Sequence, residues 1–295
     1  MIRYPISEAE LIALINGKKP NWLGRAQQRT QHYVDAGGYT DDSDFWGEIK
    51  QVYITLQHEK CAYCETKLQG AVLASKVHEV EHYRPKSEVK TWPNHNVEHW
   101  KKFKPAWTTG AGSKVGYYKL AYHHLNYAIA CTRCNSTLKS SYFPIRGNRD
   151  TQNGDPADMQ DESALLLYPV SMTDADDPQD IITFNGVLAV PKHNSGPAYE
   201  RAVTNIEFFQ LNHEDLTSRR AEEIRTCWLA LQMSRNVPQD KQMYDDTIAL
   251  MCSPESAFSS CVSAFFLLSQ TDYPVAETMA RFIIKALLTK QPLTP

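Results

Sequence analysis

Cys61 and Cys64 form one Cys-X-X-Cys pair, and Cys131 and Cys134 form a second. Each such turn can aim two thiolates at one tetrahedral ion, and two turns complete four ligands. A structural zinc is therefore expected. Sulfur at all four positions closes the site, whereas a hydrolytic zinc keeps one position open. The competing reading is a redox dithiol, but neither pair lies in a thioredoxin-like setting. Cys227, Cys252 and Cys261 fall in helical patterns and read as core thiols.

Between the pairs lies Glu81-His82-Tyr83-Arg84-Pro85-Lys86, and Asn135 follows Cys134 directly. These types suit phosphodiester hydrolysis. That reaction needs a base for an attacking water and positive charge at the leaving oxygen. His82 titrates near neutral pH and can accept a proton. Glu81 offers a hard oxygen to Mg²⁺ or Mn²⁺. The Asn135 amide can complete the protein side of that site. Neighbours on an ideal strand face opposite ways. A strand carrying Glu81 and His82 must therefore end or turn there, and Pro85 supplies the stop. Arg84, Lys86, Arg133 and Lys139 lie close by in sequence and are candidates for phosphate contact, with ordinary solvated charge as the alternative. Tyr117, Tyr118 and Tyr122, with Lys114 and Lys119, can stack on nucleic acid or simply pack.

The surrounding pattern indicates what must position these groups. Ser7 with Glu10 reads as a capping box opening a helix over 7–16, and Phe45 to Gln57 is a second helical pattern leading to Cys61. Lys76 to Glu81 reads as a strand, and residues 91–118 as loop. Asn126 to Ala130 leads into the second cysteine pair, with a helix expected from near Asn135 to before Pro144. Asn185-Gly186 sits between two β-branched runs and predicts a hairpin over 181–190. Helical spacing then recurs over 199–210, 214–234, 240–252, 255–269 and 274–289. The plan is α+β. It comprises an N-terminal helical segment (1–57), a zinc-braced core (58–150), an acidic loop and hairpin (151–198), and a helical domain (199–295) suited to partner docking.

The chain has 295 residues and a net charge of -3, unevenly spread. Residues 105–149 hold six Lys or Arg and no acid, which suits a polyanion partner, while 150–180 hold nine Asp or Glu and no Lys or Arg. The acidic run reads either as a solvated loop or as a screen over the basic surface. No apolar run approaches about 18 residues, so no membrane span is expected. Met1 to Pro5 lacks the apolar stretch of a signal peptide, and cysteines in pairs without a disulfide framework suit a reducing compartment. A cytoplasmic protein is expected.

His82, Asn126 and Asn135, set among Cys-X-X-Cys pairs, resemble the HNH (His-Me finger) nucleases. A fuller pattern resembles the PtuB-like HNH nucleases of Septu and retron anti-phage systems. It runs through Cys61-Ala62-Tyr63-Cys64-Glu65, Val80 to Ser87, Asn126, Cys131, Cys134-Asn135, Lys139 and Phe143-Pro144. The match covers residues 58–145 and is weaker at Leu211-Asn212, Leu216 and Arg219. The resemblance implies a ββα-metal core. In it His82 activates water, Glu81 and Asn135 hold one divalent ion, and Asn126 orients the histidine. It also implies a PtuA-like ATPase partner, a nucleic-acid substrate with DNA favoured over RNA, and a possible link through that ATPase to a retron reverse transcriptase or its multicopy DNA. Two positions depart from the pattern. Glu81 stands where many relatives carry Asp, and His124 where Trp is common, leaving His123 and His124 to be read as surface or packing residues. An RNA- or tRNA-cutting nuclease and a catalytically silent zinc-braced adaptor are the rival readings.

Overall fold

The computed structural model describes residues 1–40, 44–68, 79–171, 173–291 and 293. The chain opens with helix α1 (Glu8–Lys18), whose first turn is closed by the Ser7/Glu10 capping box. Glu10 N–H donates to Ser7 Oγ (3.2 Å), and Ser7 N–H to Glu10 Oε2 (2.9 Å). Helix α2 (Trp22–Ala36) follows, unforeseen from the sequence because its buried stripe is only Trp22, Ala26 and Tyr33. The expected helix from Phe45 divides into a 3-10 turn (Phe45–Ile49) and α3 (Lys50–Leu56).

Strand β1 (Glu79–His82) pairs antiparallel with β2 (Tyr127–Ala130), placing Glu81 opposite Ala128 and His82 opposite Tyr127. Residues 76–78 of the expected strand lie outside the described residues. After β2, the segment Arg133–Lys139 is a π-type helix rather than the α-helix expected from Asn135. The loop over 91–118 is well packed, with Trp92 and Trp100 buried against each other and against Phe208.

A short helix α4 (Pro178–Ile181) precedes the hairpin of β3 (Ile182–Asn185) and β4 (Leu188–Pro191). Gly186 turns it with φ +58°, as the Asn-Gly pair predicts. Five helices complete the chain: α5 (Gly196–Phe208), α6 (Glu214–Asn236), α7 (Lys241–Cys252), α8 (Ser259–Thr271) and α9 (Tyr273–Thr289). All five match helical spacings in the sequence to within a few residues. Among the described residues, the fold is thus mixed, with many helices and two two-stranded sheets. No described helix is long and apolar enough to cross a membrane.

Buried apolar side chains from Met1 to Ile283 form one cluster running through every segment of the sequence plan. Tyr63, between the first two cysteines, stacks on Phe209 with ring centroids 4.0 Å apart. The acidic segment is not a free solvated loop. Glu162 is buried against Arg84, and Asp174 and Asp176 both accept hydrogen bonds from Arg201. These carboxylates have structural cation partners, which the charge run alone did not reveal.

Gly116 places this core against the turn that follows β1. Its φ is +64°, and a Cβ there would stand 2.8 Å from Glu88 N, Pro85 O and the Ser87 carbonyl carbon. Backbone atoms cannot move aside as a side chain can, and a left-handed φ disfavours any β-carbon. Gly116→Ala is therefore expected to cost about 2–4 kcal/mol, from strain at the special φ together with the overlap. Chemical denaturation of the two proteins checks this, and an unchanged midpoint would refute it.

Candidate metal centre and buried histidine site

The two cysteine turns are brought together by the β-ribbon. Helix α3 ends just before the first turn, where Cys61 N–H donates to Thr66 O (3.0 Å) and Glu65 N–H to Cys61 O (3.1 Å). Glu65 takes φ +61°, which reverses the chain. Strand β2 runs straight into Cys131, and Asn135 N–H donates to Cys131 O (2.9 Å). The fully buried Gln57 clamps the two halves. Its Nε2 donates to Lys60 O (3.0 Å) and Ile129 O (2.9 Å), and its Oε1 accepts from Ile129 N–H (2.7 Å). Gln57 carried no sequence signal, because a lone glutamine at a helix end is ordinary.

The sulfurs of Cys61, Cys64, Cys131 and Cys134 all lie within 4.8 Å of one another. Cys64 Sγ and Cys131 Sγ are 3.8 Å apart. A tetrahedron with Zn–S near about 2.3 Å has edges of about 3.8 Å, so the donor set fits zinc. These four cysteines are the residues that would hold it.

Glu65 does not reach into the thiols. It accepts from Met1 N–H and from the Ser260 hydroxyl and amide, with Lys60 Nζ at 3.9 Å. Burial would raise its pKa, but the Met1 ammonium and Lys60, with these hydrogen bonds, hold it down to about 2.

The second centre lies at the end of β1. One fully buried side chain, Asn126, closes the turn there. Its Oδ1 accepts from Arg84 N–H (2.7 Å), and its Nδ2 donates to Arg84 O (3.0 Å) and Leu120 O (3.1 Å). These bonds grip backbone and do not touch the His82 ring. That ring is held by Ala121 O, 3.0 Å from Nε2, which also accepts from Tyr127 OH (2.7 Å). A carbonyl oxygen only accepts, so Nε2 carries the hydrogen and Nδ1 keeps its lone pair. Trp46 and Tyr127 meet the imidazole edge-to-face, with centroids 4.6 and 5.1 Å away. Burial, with the charges of Lys86 and Lys139, keeps the His82 pKa well below its usual range. The ring is therefore neutral near pH 7. Trp46 and Ala121 were not marked by the sequence, since neither a helical tryptophan nor a backbone carbonyl looks chemical.

Glu81 is buried, and Lys139 Nζ lies 3.0 Å from its Oε1 and 3.3 Å from His82 O. Asn135 is also buried, at the start of the same π-type segment as Lys139. A carboxylate and an amide oxygen are the hard donors a Mg²⁺-like ion takes, and the Lys139 ammonium already marks the carboxylate as a cation position.

The four basic residues expected at phosphate are placed differently. Lys139 is fully enclosed on Glu81, and Arg84 is buried with Nε 2.9 Å from Glu162 Oε2. Arg133 donates to Phe209 O (3.1 Å) and Gln210 O (3.2 Å), tying the cysteine turn to the helical part. Arg84 and Lys139 are occupied inside the fold and the half-buried Arg133 at its edge, because spacing along the chain does not say which way a charge faces. Lys86 is half-buried, its ammonium 4.5 Å from the Trp46 ring centre and 5.1 Å from that of Tyr39. Tyr117, Tyr118 and Tyr122 are packing residues, bonded to Glu162, Gln152 and Tyr33.

His123 and His124 stack at 4.7 Å, and both support local structure. His124 Nε2 meets Glu8 Oε1 at 2.8 Å, and His123 Nδ1 accepts from Leu125 N–H (3.2 Å).

The chain is 28% identical over 184 residues to the Septu protein PtuB of Bacillus mycoides (strain KBAB4), covering 62% of this chain and 52% of that protein. The chain thus spans about half the length of the curated relative it matches. No protein-family model matches it, and no solved structure does.

Two outcomes are expected. Purified protein should carry one zinc per chain by elemental analysis, and Cys61→Ser or Cys134→Ser should lose it with several kcal/mol of stability, since metal-binding energy is folding energy. Zinc-free wild type of equal stability would refute this. Burial, and the nearby His124, lower the His123 pKa from 6.5 to about 4. A depressed folded value means that the neutral form stabilises the fold above pH 6.5. That stability is lost as pH falls toward 4, by about 1–3 kcal/mol. His123→Asn keeps a capping acceptor without titrating, so its melting temperature should fall less than that of wild type over this range.

Proposed function

We propose that this protein is an HNH endonuclease that hydrolyses nucleic-acid phosphodiesters, DNA in preference to RNA, as the effector of a Septu-type anti-phage system acting with a PtuA-like ATPase. The observation that carries the reading is the His82 centre. A neutral imidazole with Nε2 committed to Ala121 O keeps its Nδ1 lone pair for a proton, one residue after Glu81 on β1. Similarity to Septu protein PtuB supports the defence role and the ATPase partner.

In this reading Nδ1 of His82 takes the proton from the attacking water. Ala121 O fixes the tautomer, and Trp46 and Tyr127 fix the ring plane. Asn126 acts at one remove, by holding the Arg84 and Leu120 backbone on either side of the imidazole. Glu81 and Asn135 would hold a divalent ion, which when bound supplies positive charge to the phosphate and the leaving oxygen. The sulfur-bound zinc is closed to substrate and braces the module. The C-terminal helices, which expose Leu229, Met243, Leu250, Leu267 and Phe282, are the surface suited to the ATPase.

His82→Ala should cut cleavage of plasmid DNA by on the order of 10²–10⁴-fold, in the presence of Mg²⁺ or Mn²⁺ and the ATPase, while zinc content and circular dichroism stay unchanged. Activity that survives the substitution rules out His82 as the base. Cutting of total RNA but not of plasmid would redirect the substrate assignment.

A further inference from the structure

Lys139 stands apart from the other basic residues near the site. Its side chain is fully buried, and its ammonium bridges Glu81 Oε1 (3.0 Å) and His82 O (3.3 Å). The π-type segment Arg133–Lys139 carries both Asn135 and Lys139. The Ser140 N–H to Asn135 O bond (2.7 Å) closes it in the wide i→i+5 spacing. Such segments are uncommon and are frequently found at functional sites. The arrangement therefore sets one amide donor and one competing cation on a single short turn.

A buried carboxylate needs a counter-charge, and Lys139 supplies it. A divalent ion seeks an oxygen of the same carboxylate. An ammonium and a doubly charged ion held on one carboxylate repel each other strongly. Binding of either therefore disfavours the other.

Resting on the nuclease reading above, we propose that Lys139 is a positioning residue that holds the Glu81 carboxylate as an internal counterion and must release it before Glu81 can take a divalent ion. Binding of the ion and displacement of Lys139 are then one coupled step. The resting site stays folded without the ion, and its affinity for the ion is held below what Glu81 and Asn135 would otherwise provide. The anionic phosphate of a substrate gives the displaced ammonium a new partner, so substrate and ion favour each other's binding.

Calorimetric titration of the zinc-loaded full chain with Mn²⁺ tests this, alongside melting temperatures with and without Mn²⁺. Lys139→Met should bind Mn²⁺ at least about tenfold more tightly than wild type. It should melt lower without the ion and regain most of the difference with it. Lys139→Arg keeps the charge and grips a carboxylate with two N–H groups, so it should bind Mn²⁺ more weakly than wild type. The double variant Glu81→Gln/Lys139→Met should melt above Lys139→Met in the absence of Mn²⁺ and bind none. If wild type binds Mn²⁺ and both single variants bind it equally well, the counterion role is wrong while the nuclease reading stands. If neither wild type nor Lys139→Met binds Mn²⁺, the divalent site itself is wrong and the inference falls with it.

Discussion

Four thiols packed within 4.8 Å of one another, three of them buried, are not a stable arrangement of anions by themselves. Thiolates at that spacing repel, and a low-dielectric surrounding strengthens the repulsion. A tetrahedral cation held by the four sulfurs would remove it and make the cluster a staple. The cysteine cluster is built into the β1–β2 ribbon, because Cys131 continues β2 directly while the Cys61 turn hydrogen-bonds to Ile129 within it. Everything proposed for His82 and Glu81 depends on the ribbon in turn, since β1 has only β2 as its sheet partner among the described residues.

The same economy governs the buried charges. Arg84 with Glu162, Lys139 with Glu81, and Lys60 with Glu65 each place an acid and a base together away from water. Pairs of this kind contribute little net stability over apolar residues, but breaking one leaves a lone charge at high cost. They specify which side chain goes where. Glu162 illustrates this well. It accepts from Arg84, Tyr117 OH and Asp150 N–H, and so locks the acidic segment onto the turn after His82. The basic and acidic runs, which look like opposed surface patches along the chain, are partly the two halves of this internal pairing.

Much was legible from residue order alone because it rests on local physics. The Ser7/Glu10 cap, the Asn185-Gly186 turn and the five C-terminal helices each follow from short-range hydrogen bonding or from the 3.6-residue period. The four cysteines were legible because a Cys-X-X-Cys turn can present two sulfurs to one point whatever surrounds it. Helix α2 escaped because three buried residues in 15 make too faint a stripe. The direction of the basic side chains escaped for a different reason, since it is decided by partners distant in sequence.

The amino-acid sequence by itself determined the ligand chemistry, the strand-ending histidine and the helical character of the C-terminal part, since these depend on residue type and near-neighbour spacing. Only the tertiary structure decided that Ala121 O sets the His82 tautomer, that Asn126 grips backbone and not the ring, and that Lys139 faces inward onto Glu81. Those three facts join residues between 39 and 58 positions apart. Contacts at such separations form when the apolar core closes and draws the polar groups into reach, which no local preference encodes.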